Sequence, residues 1–149
     1  MLPSSRTRVP RHTAQADNHL IQNQIDASVR HFAAHPKEID RRLQELDHEW
    51  DIERAIEMNA SALAFIGTAL GFFAHPYWLA LPALVTAFLF QHALQGWCPP
   101  VPVLRRMGFR TSYEIERERQ ALKAVRGDYA AVATATDKVA AALQAADKK

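Results

Sequence analysis

From Met58 to Leu104 the chain has no Lys, Arg, Asp or Glu. A helix standing in water keeps one charged or polar face, and a block of about 47 residues without formal charge provides none. The block divides at His75-Pro76-Tyr77-Trp78, a half-polar, turn-forming patch. The two halves, roughly residues 57–74 and 78–97, are each about long enough to cross a hydrocarbon layer of ~30 Å at 1.5 Å per residue. The expected fold class is therefore all-α: a two-span transmembrane helical hairpin with cytoplasmic amphipathic helices on both sides. A buried core hairpin of a soluble bundle is the alternative reading, favoured by the Ala content.

Flanking residues orient the hairpin. The connector has no basic residue, whereas Arg54 precedes the first span and Arg105, Arg106 and Arg110 follow the second. The positive-inside bias then puts both termini on the cytoplasmic side. Tyr77, Trp78 and Trp97 are the expected interface anchors, since aromatic rings with a polar edge favour that level. Small residues recur at helical spacing. Ala64, Gly67 and Gly71 in the first span and Ala83 and Ala87 in the second form the expected packing stripes, and Gly67–Gly71 is a GxxxG pair. Asn59, Gln91 and His92 fall at matching depth. They suit a hydrogen-bonded link between the spans or simple interface solvation.

Outside the block, the chain reads as polar helices. Residues 1–16 hold Arg6, Arg8 and Arg11 without an acid, a flexible basic tail. Within residues 17–57, Ile21, Ile25, Val29 and Phe32 recur at helical spacing, and Pro36 ends that helix. Ile39, Leu43, Leu46 and Trp50 line a second helix that lies on the membrane surface, packs on another tail helix or runs straight into the first span; its acidic excess favours contact with protein. Glu45, Asp47, Glu49, Asp51 and Glu53 alternate around it as a solvated face. His31 and His35 stand four apart, but no third ligand accompanies them, so no metal is expected. Three prolines among Pro99, Pro100 and Pro102 predict an extended exit after the hairpin. In residues 105–149, Thr111-x-x-Glu114 is a capping box. A seam of Ile115, Leu122, Val125, Tyr129, Val132, Val139 and Leu143 follows it. This reads as one long helix weakened at Gly127, or two helices with Asp128 capping the second.

The hairpin with Gly67 and Gly71, followed by Gly96-x-Cys98-Pro99 and then Gly108, resembles the YgaP-like transmembrane domain over roughly residues 50–110. That resemblance implies a bacterial inner-membrane location and a two-helix hairpin. Some members of that family are fused to a sulfur-transferring rhodanese, but no such domain or its cysteine loop is recognisable here.

Catalytic chemistry has little support in the residues. No phosphate-cradling glycine loop, zinc-spaced cluster or Ser-His-Asp order is present, so no cofactor and no enzymatic activity are expected. A net charge of +2 does not argue for nucleic acid. Cys98, the only cysteine, is the one candidate reactive thiol, for sulfur or redox handling at the cytoplasmic face. A third possibility is a small oligomeric pore lined by Asn59, Thr68, Thr86 or Gln91. The leading expectation is a non-enzymatic inner-membrane protein whose partners are the lipid bilayer and either further copies of itself or another membrane protein.

Overall fold

A computed structural model describes residues 4–148, and every regular element among them is helical. Eight α-helices follow in order: α1 (Arg8–Arg11), α2 (Gln15–Ala34), α3 (Ile39–His48), α4 (Ile52–Phe73), α5 (Ala80–Gln95), α6 (Val101–Arg106), α7 (Ser112–Arg126) and α8 (Lys138–Asp147). Short 3-10 turns at Pro36–Glu38, Pro76–Leu79 and Ala130–Ala133 connect them. The chain forms two units: residues 4–21 with Trp50–Ser112, and Gln22–Glu49 with 113–148.

The first unit contains the hairpin. Its core is Val9, Ile52, Ala55, Ile56, Cys98, Val101 and Leu104. Helix α4 does not continue from α3. The backbone is extended at Glu49, and the Asp51 carboxylate caps α4 by accepting from the Arg54 N–H at 2.7 Å. The segment expected to be a flexible tail carries α1, and Val9 is enclosed in this core; residues 1–3 of that tail lie outside the described residues. The proline-rich exit is helical rather than extended. Pro100 and Pro102 occupy the start of α6, where a missing N–H is no loss.

The second unit is a charged bundle. Phe32, Ile39, Leu43, Leu46, Ile115 and Leu122 form its core. The Glu118 side chain is fully enclosed and accepts from Arg42 Nε at 2.9 Å and from the Ser28 hydroxyl. Helix α7 ends at Gly127, whose φ of 88° suits glycine. Asp128 caps nothing; it binds Arg126 at 2.6 Å and Lys148 at 2.9 Å. Lys123 Nζ donates to the Ala146 carbonyl at 2.6 Å, which folds α8 back on α7. The expected seam is discontinuous, because Val125, Val139 and Leu143 are exposed.

The all-α class stands, and the membrane hairpin is corrected. The segments Pro36–Phe73 and Pro76–Gln95 would reach across a bilayer by length and composition alone. Three findings remove that placement. First, the chain encloses ion pairs in its own bundle, as Glu118 and Arg42 show. Second, two arginines used to set the topology are internal. Arg105 is enclosed and donates to the Phe109 carbonyl at 3.2 Å and to Asn18 Oδ1 at 2.9 Å; Arg110 is also buried, and its carbonyl accepts from Ile52 N–H at 2.8 Å. Third, the lower end of the hairpin is packed beside Arg8, Glu53 and Glu57. A lipid bilayer partner, an inner-membrane location and cytoplasmic termini are accordingly withdrawn.

Candidate interaction surface

Helices α4 and α5 pack through glycine on one side and large residues on the other. A Cβ on Gly67 would lie 2.6 Å from Pro82 Cδ and 3.0 Å from Leu81 Cβ; one on Gly71 would lie 2.5 Å from Leu79 Cδ2. The GxxxG face is therefore filled by this chain's own second helix. Ala64 is half-buried, while Ala83 and Ala87 are exposed; Leu81 and Pro82 take the position given to the small residues of α5.

The opposite face of α4 is exposed among the described residues. Met58, Phe65 and Phe72 recur at intervals of seven, with Ile66 and Phe73 beside them. Phe65 is 75% exposed, and Phe72 and Phe73 are 84% and 85% exposed. Ala62 and Ala69 lie between the large residues on the same stripe. At the tip, Tyr77 is 85% exposed with its ring 4.5 Å from that of His75, and Trp78 and Leu79 are exposed too. Trp97, at the other end, is half-buried with its ring 6.4 Å from that of Phe88. Arg54 lies 4.5 Å over the Trp50 ring, and Arg106 is exposed.

An apolar groove of about 440 Å³ lies between the helices and the Cys98–Pro100 turn, lined by Ile56, Leu63, Val85, Phe88 and Leu89 among others. Cys98 closes its floor at 2% exposure. Burial pushes the thiol above its ordinary value, against a smaller opposing hydrogen bond with the Val101 backbone. A thiol kept protonated and enclosed is a poor nucleophile, which corrects the sulfur or redox reading. The pore reading is also corrected: three of the four polar groups expected to line it bond to their own helices. Thr68 donates to Ala64 O and Thr86 to Pro82 O, each at 2.8 Å, and the Asn59 amide donates to Ala55 O at 2.8 Å.

His35 Nδ1 is spent on the His31 carbonyl at 2.8 Å, and no group of three or more metal-binding side chains occurs among the described residues. Three of the five acids expected on a solvated face pair with arginines, Glu45 with Arg41 and Arg42, Asp47 with Arg119 and Glu49 with Arg42. Glu53 departs from that pattern: one carboxyl oxygen is buried without a partner. No family model matches the chain, and no curated protein and no solved structure gives a significant match. The likeness to the YgaP-like domain is thereby corrected, since it rested on scattered glycines and one Cys-Pro pair.

Proposed function

We propose that the protein is a non-catalytic assembly module whose α4 face is covered by the same face of a second copy. The observation that carries this reading is the continuous exposed stripe of Met58, Phe65, Ile66, Phe72 and Phe73. Contiguous apolar surface of this kind marks an interaction site. With Tyr77 at the tip, and at about 200 Å² per large side chain, the exposed parts offer on the order of 800 Å², the area each partner gives to a standard interface. A second copy fits better than an unrelated partner for two reasons. The stripe has no charge with which to specify a foreign surface. Its rings at intervals of seven and its intervening alanines are self-complementary, so a two-fold contact seats Phe65 and Phe72 of one copy over Ala62 and Ala69 of the other.

Sedimentation equilibrium tests this directly. The expected mass is twice the 16.8 kDa of one chain. Phe65→Glu and Phe72→Glu are expected to give the single-chain mass with unchanged helix content. A wild-type chain that stays single at tens of micromolar, or a Phe65→Glu/Phe72→Glu variant that still pairs, rejects the reading.

A further inference from the structure

Helix α8 is seated on its unit by little apolar surface. Of its ten residues only Ala145 is buried, while Val139 and Leu143 are 70% and 61% exposed. The contacts that place it are polar. Lys123 Nζ donates to the Ala146 carbonyl at 2.6 Å, and Lys148 Nζ, just past the helix, donates to Asp128 Oδ1 at 2.9 Å. The Ala146 carbonyl belongs to the last turn of α8, where no intrahelical N–H reaches it and the helix dipole favours a cation. At the other end Asp137 caps the helix, accepting from the Val139 and Ala140 N–H groups at 3.0 Å. Lys123 is the unusual member. It is only 4% exposed, a burial that lysine rarely undergoes without a charged partner, and the acceptor α8 brings to it is a neutral carbonyl.

We propose that α8 is a releasable strap over Lys123: the docked helix hides the ammonium, and the hidden ammonium keeps the strap ready to lift. Docking sets the desolvation of a charge against the burial of one alanine and a few polar contacts. Withdrawing a charge from water is costly without full compensation, and one methyl group returns little. The docked and lifted positions are therefore close in free energy, and α8 opens without the rest of its unit. A capped helix of this length is marginal in isolation, so a lifted α8 also loses its helical hydrogen bonds. Lifting it bares the Lys123 nitrogen, which makes Lys123 a gated amine: a reagent or partner that needs this nitrogen waits on the open position. The device lies in the second unit and does not depend on pairing through α4.

Two readouts on the full chain test this together. One is amide hydrogen exchange. The other is acetylation by acetyl N-hydroxysuccinimide, which forms an amide at a lysine nitrogen with loss of a proton and of N-hydroxysuccinimide. Amides 142–147 are expected to exchange about a hundredfold faster than those of Ile115–Leu122. Lys123 is expected to react more slowly than the exposed Lys138, by the same factor that slows exchange in α8. Asp137→Ala, which removes the cap at an exposed position, is expected to speed both readouts about fivefold. Lys123→Met keeps the stem and removes the charge, and water can take over the Ala146 carbonyl at its exposed position; α8 protection is expected to rise about tenfold with α7 unchanged. Four outcomes overturn the proposal: α8 exchanging no faster than α7, Lys123 reacting as fast as Lys138, an acetylation rate that Asp137→Ala leaves unchanged, or α8 protection that does not rise in Lys123→Met. The last would make Lys123 a plain clasp.

Discussion

In Gln22–Glu49 and 113–148 the large apolar side chains of α2, α3 and α7 mostly point inward, while Val125, Val139 and Leu143 are exposed, and charges such as Glu118 are paired inside. In α4 and α5 the order is reversed: small residues fill the contact between the helices, and large rings face out. The first arrangement puts Phe32, Ile39, Leu43, Leu46, Ile115 and Leu122 into its own core. The second buries Ile52, Ala55 and Ile56 at the base of α4 and Gly67 and Gly71 farther along, and leaves Phe65, Phe72 and Phe73 exposed. The comparison teaches that the bundle's stability lies in its enclosed ion pair and core, and the hairpin's in close helix approach.

The largest expected effect is in the bundle. Removing the fully enclosed Glu118 carboxylate by Glu118→Ala takes from Arg42, itself only 23% exposed, its enclosed partner and leaves it the more exposed Glu45 and Glu49. A broken buried pair costs about 3–5 kcal/mol, and urea unfolding followed by circular dichroism reads it. The double variant Arg42→Met/Glu118→Leu is expected to recover most of that loss, because replacing both ions with apolar groups is close to neutral. A loss below about 1 kcal/mol on Glu118→Ala would place the ion pair among weak surface bridges and erase the contrast with the hairpin.

In the hairpin the corresponding break is at glycine. Gly67→Leu drives a side chain into Pro82, whose ring yields little, with an expected loss of about 2 kcal/mol from overpacking. Gly71→Leu meets the flexible end of Leu79 and is expected to cost less. Thermal unfolding of the two variants side by side measures the difference. Equal losses would mean that the helix separation, rather than the stiffness of the partner atom, sets the limit.

Much of the helical layout was legible. Pro36, the Thr111–Glu114 box and Gly127 mark boundaries close to those observed, and the turn at Pro76 separates the hairpin helices. The helix expected to run through residues 49–51 breaks instead, because Asp51 caps α4, a role its neighbouring acids masked. The prolines after Cys98 misled in the opposite direction: proline ends a helix from inside but opens one from the first turn. Charge was the deeper difficulty. Arg105 and Arg110 look like surface residues beside an apolar block. Their enclosure depends on Asn18, Phe109 and Ile52, two of them far away in sequence. The polar contact at the base of the hairpin was equally hidden, since Arg8 and the Ala93 carbonyl meet across more than eighty positions and the left-handed turn at Gly96 lets them come close.

The smallest effect is a difference in acid sensitivity. His92 is held below its ordinary value in the folded state, so the folded first unit takes up fewer protons than the unfolded chain. Its contribution is complete above the ordinary histidine value of about 6.5 and is lost as pH falls toward the lower folded value. Glu53 has the opposite sign. Its carboxyl is raised, so its contribution is present at low pH and lost as pH rises through the folded value, offsetting part of the histidine loss on acidification. In the second unit Asp128 is lowered, chiefly by its hydrogen bonds with Arg126, and its contribution falls only below an ordinary aspartate value of about 3.9. All three tryptophans, Trp50, Trp78 and Trp97, belong to the first unit, so their fluorescence reports on it alone. Urea midpoints by tryptophan emission should begin to fall near pH 6.5, earlier than those read from the tyrosines of the other unit, and His92→Gln should remove that early fall. A wild-type tryptophan midpoint flat down to pH 5 would mean that protonated His92 finds a partner at the base of the hairpin, where Glu53 and Glu57 line the same pocket.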